Sequence, residues 1–529
     1  MKYPIGIQTF EQIRQQGYVY VDKTALIYKL VTRGKIYFLS RPRRFGKSLL
    51  LSTLKAYFQG KKELFKGLAM EALETEWNAY PIFHLDFNGE DFTKAFTLDK
   101  VLVDFVARAE AEYGIEHPAS TLGSRFCNVI AKAKAKYGRG AVVLVDEYDK
   151  PLLDTLGLGR SVDVDGCKVS LEEYNRNVLK AFYSIFKLAD EHLQFVMLTG
   201  VTKFSQISVF SGFNQPTDIS MNPEFESICG ITEDELMDHF TPQIEEFAHI
   251  EECSLGEMKA AFKAQYDGYH FSNRMTDIYN PFSVLNSLFN HSLDDYWFRS
   301  GSPTYLVRLI EHFKENVNEL TAKYYAASQF VDYKADVEKP LPMLYQSGYL
   351  TIKGYKRFTR SFRLDFPNNE VKGGFVTLLA TSYLKQGENA ESWSISVAEA
   401  LRDGDTGQLR KLMTSFLASI PYSQRRKSDE RELERYFQYT FYLILRMISV
   451  YTVFIEKEQS EGRVDCVVET PDYIYIFEFK RDGDAQTAMN QINDRGYARE
   501  YEADTRKVYK IGCCFSSETG TISDWLVEC

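Results

Sequence analysis

The sequence is short of the features that would set it apart from ordinary globular proteins. Its eight cysteines in 529 residues form no Cys-x-x-Cys with a matching partner. The only close pair, Cys513-Cys514, has the wrong spacing for zinc, so the cysteines read as reduced core residues. No run of about 18 apolar residues offers a membrane span. The start, Met1-Lys2-Tyr3-Pro4-Ile5, lacks the pattern of a secretory signal, and the expected compartment is the cytoplasm. There is no internal repeat and no low-complexity linker. Nor is there a surplus of positive charge. The net charge of -10 argues against a protein that coats nucleic acid indiscriminately, and leaves room for local basic patches. What is present is an ordinary apolar content of 44%, rich in Tyr and Phe. The chain is too long for one core, and roughly two to four domains are expected.

The first stretch with chemical content is Leu39-Ser40-Arg41-Pro42-Arg43-Arg44-Phe45-Gly46-Lys47-Ser48. It follows the apolar run Ile36–Leu39 and opens a helical pattern through Leu49, Leu50, Leu54 and Phe58. Strand, tight loop and helix in that order can cup phosphates: backbone N–H groups face the anion, Lys47 reaches the outer phosphates and Ser48 can ligate magnesium. One glycine is missing. The P-loop pattern asks for Gly at position 41, where this chain has Arg, followed by Pro42.

Further on, Ile82–Phe87 alternates like a strand, helical patterns occupy 98–112 and 122–136, and Ala141–Val145 is a continuous apolar run ending in Asp146-Glu147. Such a run suits a strand buried on both faces of a parallel sheet. A helix fits 173–191, and Leu193–Leu198 is a further apolar strand ending at Thr199-Gly200. Asp22 is a candidate cap for the helical pattern that follows it. Strands alternating with helices predict a doubly wound α/β domain with ligands at the strands' C-terminal ends. Read jointly, Lys47, Ser48, Asp146 and Glu147 predict a P-loop NTPase, with ATP and Mg2+ as cofactors. Ser48 and Asp146 are the candidate metal residues and Glu147 the residue that polarises the attacking water. Thr199 is the candidate γ-phosphate sensor, and Arg43, Arg44, Phe45, Gly46 and Leu49 complete the nucleotide set.

From about 230 the pattern turns helical. Thr232-Glu233-Asp234-Glu235 is a capping box, and helical patterns recur at 282–290 and 303–313. Beyond Pro340, a short helix to Tyr345, strands at 349–353 and 360–366, and a helix at 371–385 fit a winged-helix-like unit. Lys353, Lys356, Arg357, Arg360 and Arg363 put five positive charges on its hairpin. A solvated hairpin is the default for such charges, and a wing touching a nucleic-acid backbone is the alternative. The Gly/Asp-rich break at 402–407 and a helix from about 430 to 448 open the last unit. Strands follow at 451–455, 463–469, 473–480 and 507–515, with a helix at 485–502.

This last unit carries the second constellation. If Pro471-Asp472 is a two-residue turn, Asp465 lies opposite Glu478, and alternation brings Lys480 to the same face. Two carboxylates can hold Mg2+ against a phosphodiester while Lys480 activates water or stabilises charge. A three-residue turn without a bulge would put Asp465 on the other face. Ile474 and Ile476 share the face of the charges, which extends a partly buried row. Glu434 on the preceding helix is a candidate third metal carboxylate, and Gln491 on the following helix a supporting residue.

Both constellations carry a family resemblance. Tyr18–Thr24, Arg41–Ser48, Leu144–Asp149 and Asn280-Pro281-Phe282-Ser283 resemble the prokaryotic AAA-ATPase-like family, as do Asp267-Gly268-Tyr269 and Ser347-Gly348-Tyr349-Leu350. The family's own phosphate loop has this form, so the absent glycine is implied to be a family trait. Glu434-Arg435-Tyr436, Arg463, Asp465, Glu478, Lys480, Gln491 and Tyr497 resemble the PD-(D/E)XK nuclease domain that often ends such chains. The resemblance implies metal binding by Asp465 and Glu478, catalysis by Lys480 and support from Gln491.

The expected architecture is a P-loop domain over 1–229, a helical lid and winged-helix-like region over 230–390, and a nuclease-like α/β domain over 391–529. The expected function is ATP hydrolysis coupled to Mg2+-dependent cleavage of nucleic acid, DNA ahead of RNA, without a membrane partner. A homo-oligomer is allowed for, since an arginine finger can come from a neighbouring subunit. The alternative is a slow ATP-dependent switch or signalling protein whose C-terminal domain binds nucleic acid or a partner without cleaving it.

Overall fold

The computed structural model describes residues 1–116, 119–204, 216–300, 321, 323–331, 341–375, 390–419, 452–459 and 462–529. They fall into two compact units, Met1–Lys372 and Gly373–Cys529.

The first unit is organised on a five-stranded parallel sheet. Its spatial order is Ile82–Asp86, Ala141–Asp146, Leu193–Gly200, Ile36–Ser40 and Thr217–Asp218. Ala141–Asp146 is buried at every residue, as its unbroken apolar run requires of a central parallel strand. The strands carrying the two phosphate-site motifs are not neighbours, because Leu193–Gly200 pairs with both. Thr199 is thereby placed between the phosphate loop and Asp146.

The helices Thr97–Tyr113 and Leu122–Tyr137 form where their apolar period predicts. The helix expected over 173–191 instead divides at Ser184 into Leu171–Tyr183 and Ile185–Leu188. Asp190 ends beside Lys35, with Nζ to Oδ1 at 2.9 Å. Asp22 accepts from the Thr24 N–H at 2.8 Å and, through its other oxygen, from Ala69 N–H at 2.7 Å. It thus serves two segments, and Lys23 occupies the cap position itself.

The capping box forms as its spacing dictates: Glu235 N–H donates to Thr232 Oγ1 at 3.3 Å, and Thr232 N–H to Glu235 Oε2 at 2.8 Å. The helix it opens, Glu233–Ile250, packs with Leu255–Tyr266 and Pro281–Asn290 around Phe240, Phe247 and Phe262. The hairpin Thr351–Lys356 and Ser361–Asp365 is joined by a third strand, Tyr324–Ala326, which three residues cannot announce by periodicity. The expected helices at 303–313 and 430–448, and most of that at 371–385, lie outside the described residues.

The second unit is a five-stranded mixed sheet in the order Thr452–Gln459, Gly462–Glu469, Tyr473–Arg481, Lys507–Phe515, Ile522–Glu528. Only the pairing of Tyr473–Arg481 with Lys507–Phe515 is parallel, and the helix Ala485–Asp494 makes the crossover between them. This helix packs Met489 and Ile492 on Val467, Ile474 and Ile476. The helices Ala390–Arg402 and Thr406–Ser419 cover the opposite face at Cys466, Tyr475 and Phe477. Gly512 permits the close approach of the crossover helix, since a Cβ there would lie 2.3 Å from the Ala485 carbonyl oxygen. The edge strand Ile522–Glu528 was not expected, because its apolar residues do not alternate. All eight cysteines are free.

Candidate functional site

The phosphate loop is built from both ends. Gly46 sits at φ 94°, the left-handed region that glycine enters without strain, and starts the helix Lys47–Phe58. Lys47 is buried, and its Nζ donates to the carbonyls of Arg41 (2.9 Å) and Pro42 (3.0 Å). Burial holds its pKa below the ordinary lysine value, opposed by Glu147, Asp146 and Asp149.

Arg41 explains the missing glycine. Its guanidinium is buried and turned away from the phosphate side, donating to the carbonyls of Ser40 (2.9 Å), Ser220 (2.7 Å) and Glu226 (3.1 Å). It also lies 4.0 Å from the Phe271 ring centroid. Position 41 is therefore a structural anchor that ties the loop to the segment 220–226. Arg41→Ala is expected to destabilise the protein by on the order of 3 kcal/mol, because buried carbonyls lose their donors. Denaturant unfolding measures this, and an unchanged midpoint would contradict the anchoring role.

Across the sheet, Asp146 accepts from Thr199 Oγ1 at 2.7 Å and from the Glu147 N–H at 3.1 Å. Glu147 adopts φ 49°, unusual for a non-glycine residue, and burial pushes its carboxyl up from the ordinary value. Asp149 braces the turn by accepting from Val201 N–H (3.0 Å), Thr202 N–H (2.6 Å) and Thr202 Oγ1 (2.7 Å).

Arg43, Arg44, Gly46, Lys47, Ser48, Leu49 and Glu147 meet on one cavity of about 540 Å³. Asp146 and Thr199 stand behind it, buried in the sheet. Phe45 turns inward, its ring 4.8 Å from that of Tyr269. The motifs that the sequence could only match to a pattern prove to grip this loop. Gly348, at φ +87°, abuts Pro42, and a Cβ there would approach it to 2.7 Å. Phe282 lies under Arg44, 5.1 Å from guanidinium carbon to ring centroid. Trp297 Nε1 donates to the Arg43 carbonyl at 3.0 Å. Trp297 is itself fixed through its N–H by Glu370 (2.6 Å), which also accepts from Ser283 (2.8 Å) and which burial pushes up to about 8. Sequence reasoning missed Trp297 and Glu370, because nothing local ties them to a loop some 250 residues earlier.

In the second unit, Thr470 and Tyr473 close a turn over Pro471-Asp472, with Thr470 N–H donating to the Tyr473 carbonyl at 2.9 Å. The pairs Cys466–Phe477 and Val467–Ile476 follow in the expected register, and Asp465 Oδ2 accepts from the Phe479 N–H at 2.8 Å. Asp465 thus arrives beside Glu478. Lys480 Nζ donates to Glu478 Oε1 (3.0 Å) and to Gln491 Oε1 (2.7 Å). Tyr497 donates to the Arg463 carbonyl at 2.9 Å, tying the crossover segment to the strand that carries Asp465. Glu434 lies outside the described residues.

Glu478 is 1% exposed, and its Oε2 has no hydrogen-bond partner among the described residues. Burial, and then the charge of Asp465, push its carboxyl up to about 7. A buried, unpartnered carboxylate oxygen next to a second carboxylate is a donor set that fits a divalent cation. Among the described residues, no group of three or more His, Cys, Asp or Glu side chains is placed to hold a metal ion. A carboxyl raised in the folded state contributes stability below its unfolded value near 4.5, and that contribution is lost as pH rises through about 7. In the presence of chelator, Glu478→Gln is therefore expected to melt higher than the parent at pH 8, with little difference at pH 5. A lower melting temperature at pH 8 would contradict this environment for Glu478.

Comparison with known proteins agrees with both halves. The family described as predicted AAA-ATPase matches residues 4–210, and the PD-(D/E)XK nuclease superfamily matches 432–525. The chain is also 33% identical over 536 residues to a protein of Azotobacter chroococcum mcd 1 named "Uncharacterized protein in vnfD 5'region", covering 100% of this chain and 99% of that protein. The chain belongs to the predicted AAA-ATPase family. Its C-terminal domain is of the PD-(D/E)XK nuclease superfamily. Among the described residues of this AAA-ATPase-like chain, no helix is long and apolar enough to cross a membrane.

Proposed function

We propose that the chain binds and hydrolyses ATP in its first unit and cleaves nucleic acid, DNA in preference to RNA, in its second. The observation that carries the reading is the unpartnered Glu478 Oε2, held beside Asp465 on the strand that presents Lys480.

In the first unit, the helix N-terminus at Gly46 and the cations Arg43, Arg44 and Lys47 suit a triphosphate, and Ile5, Leu49, Pro281 and Leu285 give the same cavity an apolar end for a base. Ser48 and Asp146 would hold the nucleotide's magnesium, Asp146 across a water shell. Glu147 accepts a proton from the attacking water, and its raised pKa brings it nearer to neutrality for that task. Thr199, hydrogen-bonded to Asp146, transmits a change at that carboxylate to the neighbouring strand.

In the second unit, Asp465 and Glu478 would hold Mg2+, which supplies charge neutralisation at a phosphodiester and a more acidic water. Gln491 fixes Lys480, and Lys480 orients water or stabilises the charge that develops on phosphate oxygens. The test uses the full chain with Mg2+, measuring phosphate release from ATP and nicking of supercoiled DNA in parallel. Both activities are expected. Phosphate release with no cleavage of DNA or RNA would leave a nucleotide switch, and neither activity would overturn the reading.

A further inference from the structure

The hairpin of Thr351–Lys356 and Ser361–Asp365 carries five cations, and the structure sorts them into two groups. The two nearest its base are engaged within the protein: Lys353 Nζ donates to the Gly268 carbonyl at 2.8 Å, and Arg363 Nη1 meets Asp365 Oδ2 at 3.3 Å. Lys356, Arg357 and Arg360 are exposed at the far end. Lys356 rests 3.9 Å from the Tyr324 ring centroid, and neither Arg357 nor Arg360 is ion-paired among the described residues. Between the arginines stands Phe358, 100% exposed.

This tip is mounted firmly. Ile352, Phe362 and Leu364 are buried beneath it, Tyr355 packs on Phe362 at 4.8 Å, and Tyr324–Ala326 adds a third strand on the Ser361–Asp365 side. A ring left wholly in water forgoes roughly 1.5–3 kcal/mol of burial, so its display among three unneutralised cations calls for a ligand that is apolar and anionic at once. An unpaired nucleotide has that chemistry: a flat base to stack on the ring, and phosphates spaced for flanking cations. A lipid surface fits less well, because one ring and three charges fall short of the apolar area that stable anchoring needs.

We propose that this hairpin tip is a nucleic-acid contact, separate from the Asp465–Glu478 pair, in which Phe358 stacks on an unpaired base while Lys356, Arg357 and Arg360 engage the neighbouring phosphates. The contact selects single-stranded or frayed segments over intact duplex, since a paired base offers no free face. It does not depend on whether either catalytic site is active.

The experiment is fluorescence anisotropy with the full chain in excess chelator, so that cleavage plays no part. Labelled single-stranded and duplex oligonucleotides and phosphatidylserine vesicles are the probes. Phe358→Ala is expected to weaken single-strand binding by about tenfold or more, Phe358→Trp to retain it, and duplex binding to change less. The double variant Arg357→Gln/Arg360→Gln is expected to reduce the slope of log affinity against log salt by about 1.4. All four side chains are exposed, and unchanged thermal melting verifies that the variants fold. Single-strand affinity unchanged in both variants would overturn the proposal. So would loss of vesicle binding with oligonucleotide binding intact, or no oligonucleotide binding by the parent chain.

Discussion

Replacing Lys480 with alanine is expected to lower nucleic-acid cleavage by on the order of 10² to 10⁴-fold while leaving ATP hydrolysis at its parent rate. The expectation rests on where Lys480 is held. Its ammonium bridges Glu478 and Gln491, so its charge is fixed at the one place where the two carboxylates converge. Without it, Glu478 loses a favourable charge while the repulsion from Asp465 persists, and protonation of the carboxyl becomes easier. The companion variant Lys480→Arg separates two roles. Arginine keeps the positive charge but cannot give up a proton, so cleavage retained there assigns Lys480 to charge stabilisation. Gel assays of supercoiled plasmid, run beside a phosphate-release assay on the same preparation, read both activities at once. Undiminished cleavage in Lys480→Ala would remove this residue from the chemistry.

The second large effect is expected at Lys47. Its Nζ is satisfied by two loop carbonyls, and a phosphate oxygen is the stronger, charge-assisted acceptor, so a bound nucleotide draws the ammonium toward the cavity. Lys47→Ala is expected to reduce ATP hydrolysis by on the order of 10² to 10³-fold, the scale seen when one positioned donor to a developing charge is removed. The same variant asks whether the two units are coupled. Cleavage that falls along with hydrolysis makes the nucleotide a gate, whereas cleavage that persists makes the units independent. Hydrolysis at the parent rate would show that the loop is not the phosphate site.

Much of this site was legible because its geometry is local. Two turn residues, Pro471 and Asp472, set the register of the hairpin as far as Cys466 and Phe477, and the Phe479 N–H then holds Asp465 at the end of that ladder, near Glu478. The capping box at Thr232 and the buried run Ala141–Asp146 were equally readable, since each depends on neighbours within a few positions. Strand order was not. Nothing between residues 36 and 146 announces that a later strand, Leu193–Gly200, inserts between the two motif strands. Arg41 shows the same limit from the other side. A missing motif residue looks like a defect until its side chain is seen anchoring the distant carbonyls of Ser220 and Glu226. The five hairpin cations are plain in the sequence, but their division into structural and displayed groups is not, because it depends on contacts with Gly268 and Asp365.

The central claim is that Asp465 and Glu478 hold a divalent cation that acts on nucleic acid. It is tested most directly by titrating Mg2+ into the full chain while following cleavage of single-stranded and supercoiled DNA and of RNA, with Glu478→Gln in parallel. The expected result is cleavage that saturates with Mg2+ in the parent chain and is lost in Glu478→Gln, while both hydrolyse ATP alike. Equal cleavage by the two proteins, or no Mg2+-dependent cleavage of any of these substrates by the parent, would contradict the account.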